Sequence, residues 1–394
     1  MILVFEMIWT GIHHAPGNSA TLQAIAAALP EQAIRVHAER THLDNLRADP
    51  ALRAHDGIGF AEIAISRRYR YRTHIVSVRR GVQEFATMWR AVRAAPDEPL
   101  LIFLISATPT AILAAQRIMR LDRRVVGVQV GMHGNLNDLT GWRSRNPLLR
   151  RFDLPAIMQG PPLPDVRYLV LEESIRRALA EDAPGAGAQA DVLPHPVNTA
   201  EIPMVPDLAP GSPLRIGLVG QATAEKGIGP FLETARMFKA RHPGRVEFSL
   251  VGRPVPGSDL EPLRILDHPI TMEQLSREAF LARLAPLHYV FLPLRPHYYR
   301  LSASGALLDA ITWLKPVIGT SLPIIAEEFA RFGDIGHLCD DVPAMQAALE
   351  AIVQAPDAAR YARQRANLAR AREARMPDAL ARRYRAIIEA QFPR

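Results

Sequence analysis

Short apolar runs alternate with stretches in which apolar residues return every three or four positions, the signature of strands followed by helices. MILVFEMIW reads as a first strand, and ATLQAIAAALP as the helix after it, stopped by Pro30. PLLIFLISA and RRVVGVQVGM read as buried strands with a helix, TPTAILAAQRIMRL, between them; VRYLVLEESIRRALAE is a strand running directly into a helix. APGAGAQ interrupts the pattern, DVLPHPVN is a short strand into a turn, and EIPMVPDLAPGSP is a proline-rich linker. The alternation then restarts with LRIGLVG, VEFSLVG, YVFLPL and PVIGT, each separated by helical segments. From Pro343 the chain reads as helix, and PDALARRYRAIIEAQF is long enough to return to the first domain. Strands alternating with helices predict an α/β fold with parallel sheets. We expect two Rossmann-like domains, 1–205 and 206–375, facing each other across a cleft, and a C-terminal helix, 376–394, lying back on the first.

Composition narrows the class of protein. The chain has 394 residues, nearly half of them apolar, which is enough for two buried cores. Its one cysteine, Cys339, excludes a disulfide framework and a thiolate zinc site and suits a reducing cytoplasm. The apolar start, Met1 to Ile8, is shorter than a signal sequence requires, and no run reaches the about 18 apolar residues of a membrane span. A net charge of +7 points to acidic partners. Lysine occurs only at Lys226, Lys239 and Lys315, the remaining basic residues being arginine, so each lysine stands out.

Lys226 lies in GLVGQATAEKGIGPFLETA, where a strand gives way to a helix. The first N–H groups of a helix lack partners and carry partial positive charge, so an anion is favoured there. Lys226 adds a full charge, and Gly220 and Gly227 let the backbone approach a phosphate. The spacing is neither that of a Walker loop nor that of a dinucleotide fingerprint. The bland reading is an ordinary turn with a surface lysine. A second candidate is SASGALLDA: Ser304 and Gly305 open a helix that suits a diphosphate, and Asp309, one turn in, suits a ribose diol. Its bland reading is an N-cap serine and a solvated acid.

Taken in order, LVGQATAEKGI, FSLVGRP, YVFLPL, SASGALLDA and WLKPVIGT resemble the donor domain of GT-B glycosyltransferases, especially the retaining family 4. DVLPHPVNTAEI resembles that family's interdomain strand and turn. The resemblance implies a nucleotide-sugar donor with its diphosphate at Lys226, Gly227, Ser304 and Gly305, its ribose at Asp309 and its base against the backbone near Ile270. It depends on no metal and no resident cofactor. Three positions depart from the family, one of them mildly: the second glutamate of its Glu-x7-Glu motif falls on the shorter Asp309. The family's phosphate-clamping arginine falls on Gln221, and the first glutamate of that motif falls on Leu301, with Arg295, His297, Tyr298 or Arg300 as replacement contacts.

In the first domain, HHAPGNSATLQ reads as the loop after strand one, with Gly17, Asn18 and Ser19 as donor-side contacts or, more plainly, Asn18 or Ser19 as a helix cap. His133, at a strand end in VGMHGNLNDLTGW, corresponds to a histidine that the family places beside the donor sugar. Asp138 is a candidate general base for an inverting reaction. GWRSRNPLLRRFDLPAIM and SRRYRYRTH interleave arginines with apolar and aromatic residues, as an anionic membrane, a lipid phosphate or RNA would require, and as any solvated arginine face would also look. The expectation is a hexosyltransferase working on a glycan or lipid-linked acceptor in bacterial polysaccharide or glycolipid assembly. It would be cytoplasmic or peripheral on the membrane, with no nucleic acid partner. A catalytically inactive scaffold of the same fold and an RNA- or membrane-binding module are the alternatives.

Overall fold

The structure, a computed structural model, describes residues 1–202 and 209–392. The domain boundary expected at residue 205 lies outside the described residues. The chain divides into two compact units, one of Met1–Glu201, Leu301–Ala303 and Arg375–Arg394, the other of Ile202–Arg300 and Ser304–Ala374.

The N-terminal unit is built on seven parallel strands: β1 (Ile2–Glu6), β2 (Ile34–Ala38), β3 (Ile58–Glu62), β4 (Leu100–Ser106), β5 (Val125–Gly131), β6 (Val166–Val170) and β7 (Ala190–Val192). Their order is β3-β2-β1-β4-β5-β6-β7, with Ile2 opposite Ile34 on one side and Leu101 on the other. β1 and β4 are buried along their whole length, as parallel strands covered on both faces must be. Order reverses between β1 and β4, so the crevice beyond their carboxyl ends is where an open α/β sheet takes its ligands. The C-terminal helix Pro377–Gln391 lies in this unit, burying Leu380, Ala381, Tyr384 and Ile387 in the same core as Leu22 and Ile25 of helix Ala15–Ala28. Tyr384 Oη donates to Gln129 Oε1 of β5 at 2.6 Å.

The C-terminal unit carries five parallel strands: β8 (Leu214–Val219), β9 (Val246–Val251), β10 (Tyr289–Leu292), β11 (Val317–Thr320) and β12 (Gly336–Cys339). The order is β12-β11-β10-β8-β9, which reverses between β8 and β10. Phe231, Phe238, Phe248, Phe291 and Ile318 share one core cluster, and Leu292, Ile311 and Ile325 belong to a second. No described helix is long and apolar enough to cross a membrane.

Several elements differ from the sequence expectation. β2, β3 and β12 do not stand out as strands in the sequence, and APGAGA forms a short helix, Pro184–Ala188, rather than a break. The first helix begins at Ala15, because Pro16 has its φ fixed for a first turn and lacks the N–H that would go unpaired there. Gly17, Asn18 and Ser19 therefore lie on the helix, not in a loop before it.

Candidate functional site

In the C-terminal unit, the site begins where β8 ends. Gly220 has φ 92°, a left-handed conformation in which a side chain is strained. A Cβ on Gly220 would collide with the Lys226 ammonium nitrogen. The lysine thus folds back over the strand end, where Nζ donates to Val219 O at 3.2 Å. Thr223 Oγ1 accepts from the Lys226 N–H at 3.2 Å and steadies the turn. Gly227, at φ 77°, then caps helix Ile228–Arg241. Burial pushes the Lys226 ammonium below its ordinary value, and the facing Asp309 carboxylate opposes that shift. A desolvated cation with one weak carbonyl partner and one facing acid has capacity for a further anion.

Helix Gly305–Thr312 contributes the second part. Ser304 is the N-cap, its hydroxyl accepting from Leu307 N at 3.2 Å, so the bland reading of this serine holds. Gly305 is exposed, and a Cβ built there meets no atom within 4 Å. Open space thus lies over the first turn of this helix. Asp309 Oδ1 pairs with Arg277 Nη2 at 3.2 Å. Its Oδ2 accepts no hydrogen bond among the described residues. Gln221 is exposed, and Ile270 is partly buried against the core that contains Phe248. Arg295, His297 and Tyr298 are exposed in and beside the short helix Pro296–Tyr299. Leu301 is 3% exposed and packs into the hydrophobic core of the N-terminal unit, a position that suits an apolar residue.

In the N-terminal unit a polar network fixes the loop after β1. Glu6 is buried; its Oε1 accepts from Ile8 N at 2.9 Å and Trp9 N at 3.0 Å, and its Oε2 from Asn18 Nδ2 at 2.9 Å. The second Asn18 proton points to His42 Nε2, 3.1 Å away, while His42 Nδ1 lies 3.1 Å from Gly11 O. A carbonyl only accepts, so Nδ1 holds the proton and Nε2 accepts. Burial brings His42 down to about 4, keeping the ring neutral. Ser19 donates to Asp49, and Gln23 and Asn198 extend the network. Asn18 and Ser19 are thus each held by side chains of the protein itself.

This clamp presents His14 in a left-handed conformation, φ 58°, which costs a non-glycine residue about 1–2 kcal/mol. Its ring stacks on Trp9 at 4.1 Å and on His133 at 5.4 Å. His133 follows β5, and its Nε2 is 3.1 Å from Ser106 Oγ at the end of β4. Burial, then the nearby His195, lowers His133 to about 4. His195 is likewise at about 4, from burial and then the Arg375 charge, and its ring edge lies over Gly17. Desolvation and the surrounding imidazoles of His133, His195, His13 and His42 also hold His14 well below its usual value, although the residue as a whole is exposed. Crowded neutral imidazoles at the switch point suit hydrogen bonding to hydroxyls better than proton uptake at neutral pH. Among the described residues, no group of three or more His, Cys, Asp or Glu has metal-holding geometry.

Asp138 opens the short helix Asp138–Gly141, where Thr73 Oγ1 donates to Oδ2 at 2.7 Å. Burial raises its carboxyl, against the Thr73 hydrogen bond and the His74 charge. The groups acting on Asp138 are thus Thr73 and His74, whereas Ser106 and His195 act on His133. His133 and Asp138 stand out in the sequence as candidates, whereas Glu6, His14, His195 and Arg375 do not. Two adjacent histidines and the HPV turn were visible as letters, but only the fold brings them together.

No family profile and no curated protein matches this sequence. Solved structures do match in fold. A glycosyltransferase from Rickettsia africae superposes with a TM-score of 0.66 at 11% identity, over 100% of this chain and 98% of that one. The Anabaena protein HepE, in complex with UDP-glucose, gives 0.65 at 13% identity, over 99% of both chains. An α,α-trehalose-phosphate synthase (UDP-forming) from Burkholderia vietnamiensis gives 0.61 at 14% identity, over 99% and 98%. The chain therefore has the GT-B fold of glycosyltransferases.

Proposed function

We infer that the protein is a glycosyltransferase that takes a sugar from a nucleoside-diphosphate donor and passes it to a glycan or lipid-linked acceptor. The observation that carries this reading is Lys226, drawn over the end of β8 by Gly220 and facing Asp309 across from an open helix terminus. Breaking a sugar–phosphate bond leaves charge on the departing diphosphate. A desolvated ammonium and unpaired helix N–H groups stabilise that charge without reorganising. Lys226, Gly227 and Gly305 are assigned to the diphosphate, Asp309 to the ribose and Ile270 to the base. In the N-terminal unit, neutral His133 holds a sugar hydroxyl, and Asp138, whose carboxyl is raised by burial, is the candidate base. Transfer of hexoses in polysaccharide or glycolipid assembly is the context that fits.

The test is a thermal-shift screen against UDP, GDP, ADP, dTDP and their sugars, using wild type and Lys226→Ala. One nucleotide should stabilise the wild type, and the variant should lose that response. A response that survives Lys226→Ala removes the lysine from the site. A second reading, an inactive scaffold, draws on Leu301 occupying a core position where the family carries an acid. Its mark is nucleotide-sugar binding without release of nucleoside diphosphate.

A further inference from the structure

The N-terminal unit also holds an apolar pocket of about 370 Å³ that the proposed reaction does not use. Helix Val78–Ala94 supplies Val78, Val82 and Phe85, helix Pro109–Leu121 supplies Leu113, and Leu149 and Phe152 close the far wall. The volume is in the range of small-molecule sites, about 300–1,000 Å³. The apolar surface continues outside it, with Val78 73%, Val82 63% and Leu148 69% exposed.

Its lining offers no polar anchor. The hydroxyls that reach it are those of Ser77 and Thr110. Ser77 Oγ accepts from Arg80 N and pairs with Tyr69 Oη, while Thr110 Oγ1 donates to the buried Glu84. A ligand that needs orienting by hydrogen bonds gains nothing inside.

The rim is cationic. Helix Val78–Ala94 contains a single acid, Glu84, which is buried against Arg80; helix Pro109–Leu121 contains none. Residues 142–152 carry Arg143, Arg145, Arg150 and Arg151 and no acid, and the adjoining Asp153 is fully buried. Arg151 lies over the Phe152 ring at 5.0 Å, placing a guanidinium at the pocket wall. Arg79, Arg145, Arg150 and Arg151 are exposed and make no ion pair with a carboxylate among the described residues. An apolar hole without polar anchors, beside exposed arginines that lack a carboxylate partner, is complementary to a hydrocarbon chain that ends in an anionic head.

We propose that this pocket receives a hydrocarbon chain of an anionic membrane lipid and docks the protein on a bilayer surface. The pocket, its rim and the test below do not depend on the transferase reading. The full chain is floated with vesicles of phosphatidylcholine alone or with added phosphatidylglycerol, alongside Val82→Asp and an Arg145→Ala/Arg151→Ala double variant. Val82 is solvent-exposed, so melting temperature checks that its variant folds. Wild type should float with the anionic vesicles only. Val82→Asp should weaken binding about tenfold, by losing apolar burial and adding a repelled charge, and each arginine removed should cost about fivefold. Brominated chains should quench Trp89, which stacks on Phe85 at 6.1 Å, and Trp89→Phe should reduce that quenching. The proposal is overturned if wild type ignores anionic vesicles, or if Val82→Asp floats as well as wild type. It is equally overturned if Val82→Asp only dissociates a dimer, which would assign the face to a second copy.

Discussion

Replacing Gly305 with alanine separates a structural role from a ligand-binding one. The added Cβ meets no protein atom within 4 Å, and Gly305 is not among the residues with positive φ. The substitution therefore costs the fold nothing by clash or strain. Gly305 is the first residue of helix Gly305–Thr312, where alanine gains about 0.5–1 kcal/mol of backbone entropy over glycine. For a unit of this size that raises the melting temperature by about 1–4 °C. If a diphosphate rests on the first turn, the same methyl occupies the approach to the N–H groups. Losing a charge-assisted hydrogen bond costs about 1.5–3 kcal/mol, or roughly 10- to 150-fold in affinity. Calorimetry of unfolding and titration with the nucleotide that stabilises wild type give both numbers on one variant. A higher melting temperature with weaker nucleotide binding is expected. Unchanged nucleotide affinity in a properly folded variant would refute the assignment of this helix terminus.

Three further outcomes follow from the same structure. Asp309→Asn should weaken a ribonucleotide about tenfold or more, yet leave the 2′,3′-dideoxy form bound as before; equal losses for both would assign Asp309 to holding Arg277 instead. His42, fully buried with its value lowered to about 4, favours the folded state fully above about pH 6.5, the unfolded value, and loses that contribution as pH falls to about 4. The difference is on the order of 3 kcal/mol, so His42→Asn should show a shallower fall in denaturation midpoint between pH 7 and pH 4.5, and an unchanged slope would count against it. Arg80→Ala strands the buried Glu84, whose partners are Arg80, Thr108 and Thr110, and should cost about 3–5 kcal/mol in urea unfolding; a loss under about 1 kcal/mol would mean that Glu84 takes up a proton instead.

The parallel strands were legible where they are continuously apolar, as in LLIFLIS and YVFL, because strands covered on both faces leave no polar alternation. β2 and β3 were hidden for the opposite reason: IRVHA includes an exposed Arg35, and β3, at the sheet edge, is only half-buried, so neither makes an unbroken apolar run. The phosphate-site candidates were legible because strand-to-helix turns carry local chemistry, a lysine and glycines within a few residues. The fate of Asn18 and Ser19 was not. Whether a polar side chain near a helix start faces a ligand or an interior acid depends on Glu6, His42 and Asp49, which only the sheet brings within reach. Leu301 taught the same lesson, since its apolar character is set by a core built mainly from residues far away in the chain.

The most direct test of the central claim is turnover. Purified protein is incubated with the nucleotide sugar that stabilises it, with and without candidate glycan and lipid-linked acceptors, and nucleoside diphosphate release is followed. The account predicts release above background that rises with one acceptor class, falls by about 100-fold or more in Asp138→Asn, and is lost in Lys226→Ala. Tight binding of the sugar nucleotide with no release under any acceptor would contradict it and leave the inactive scaffold as the better description.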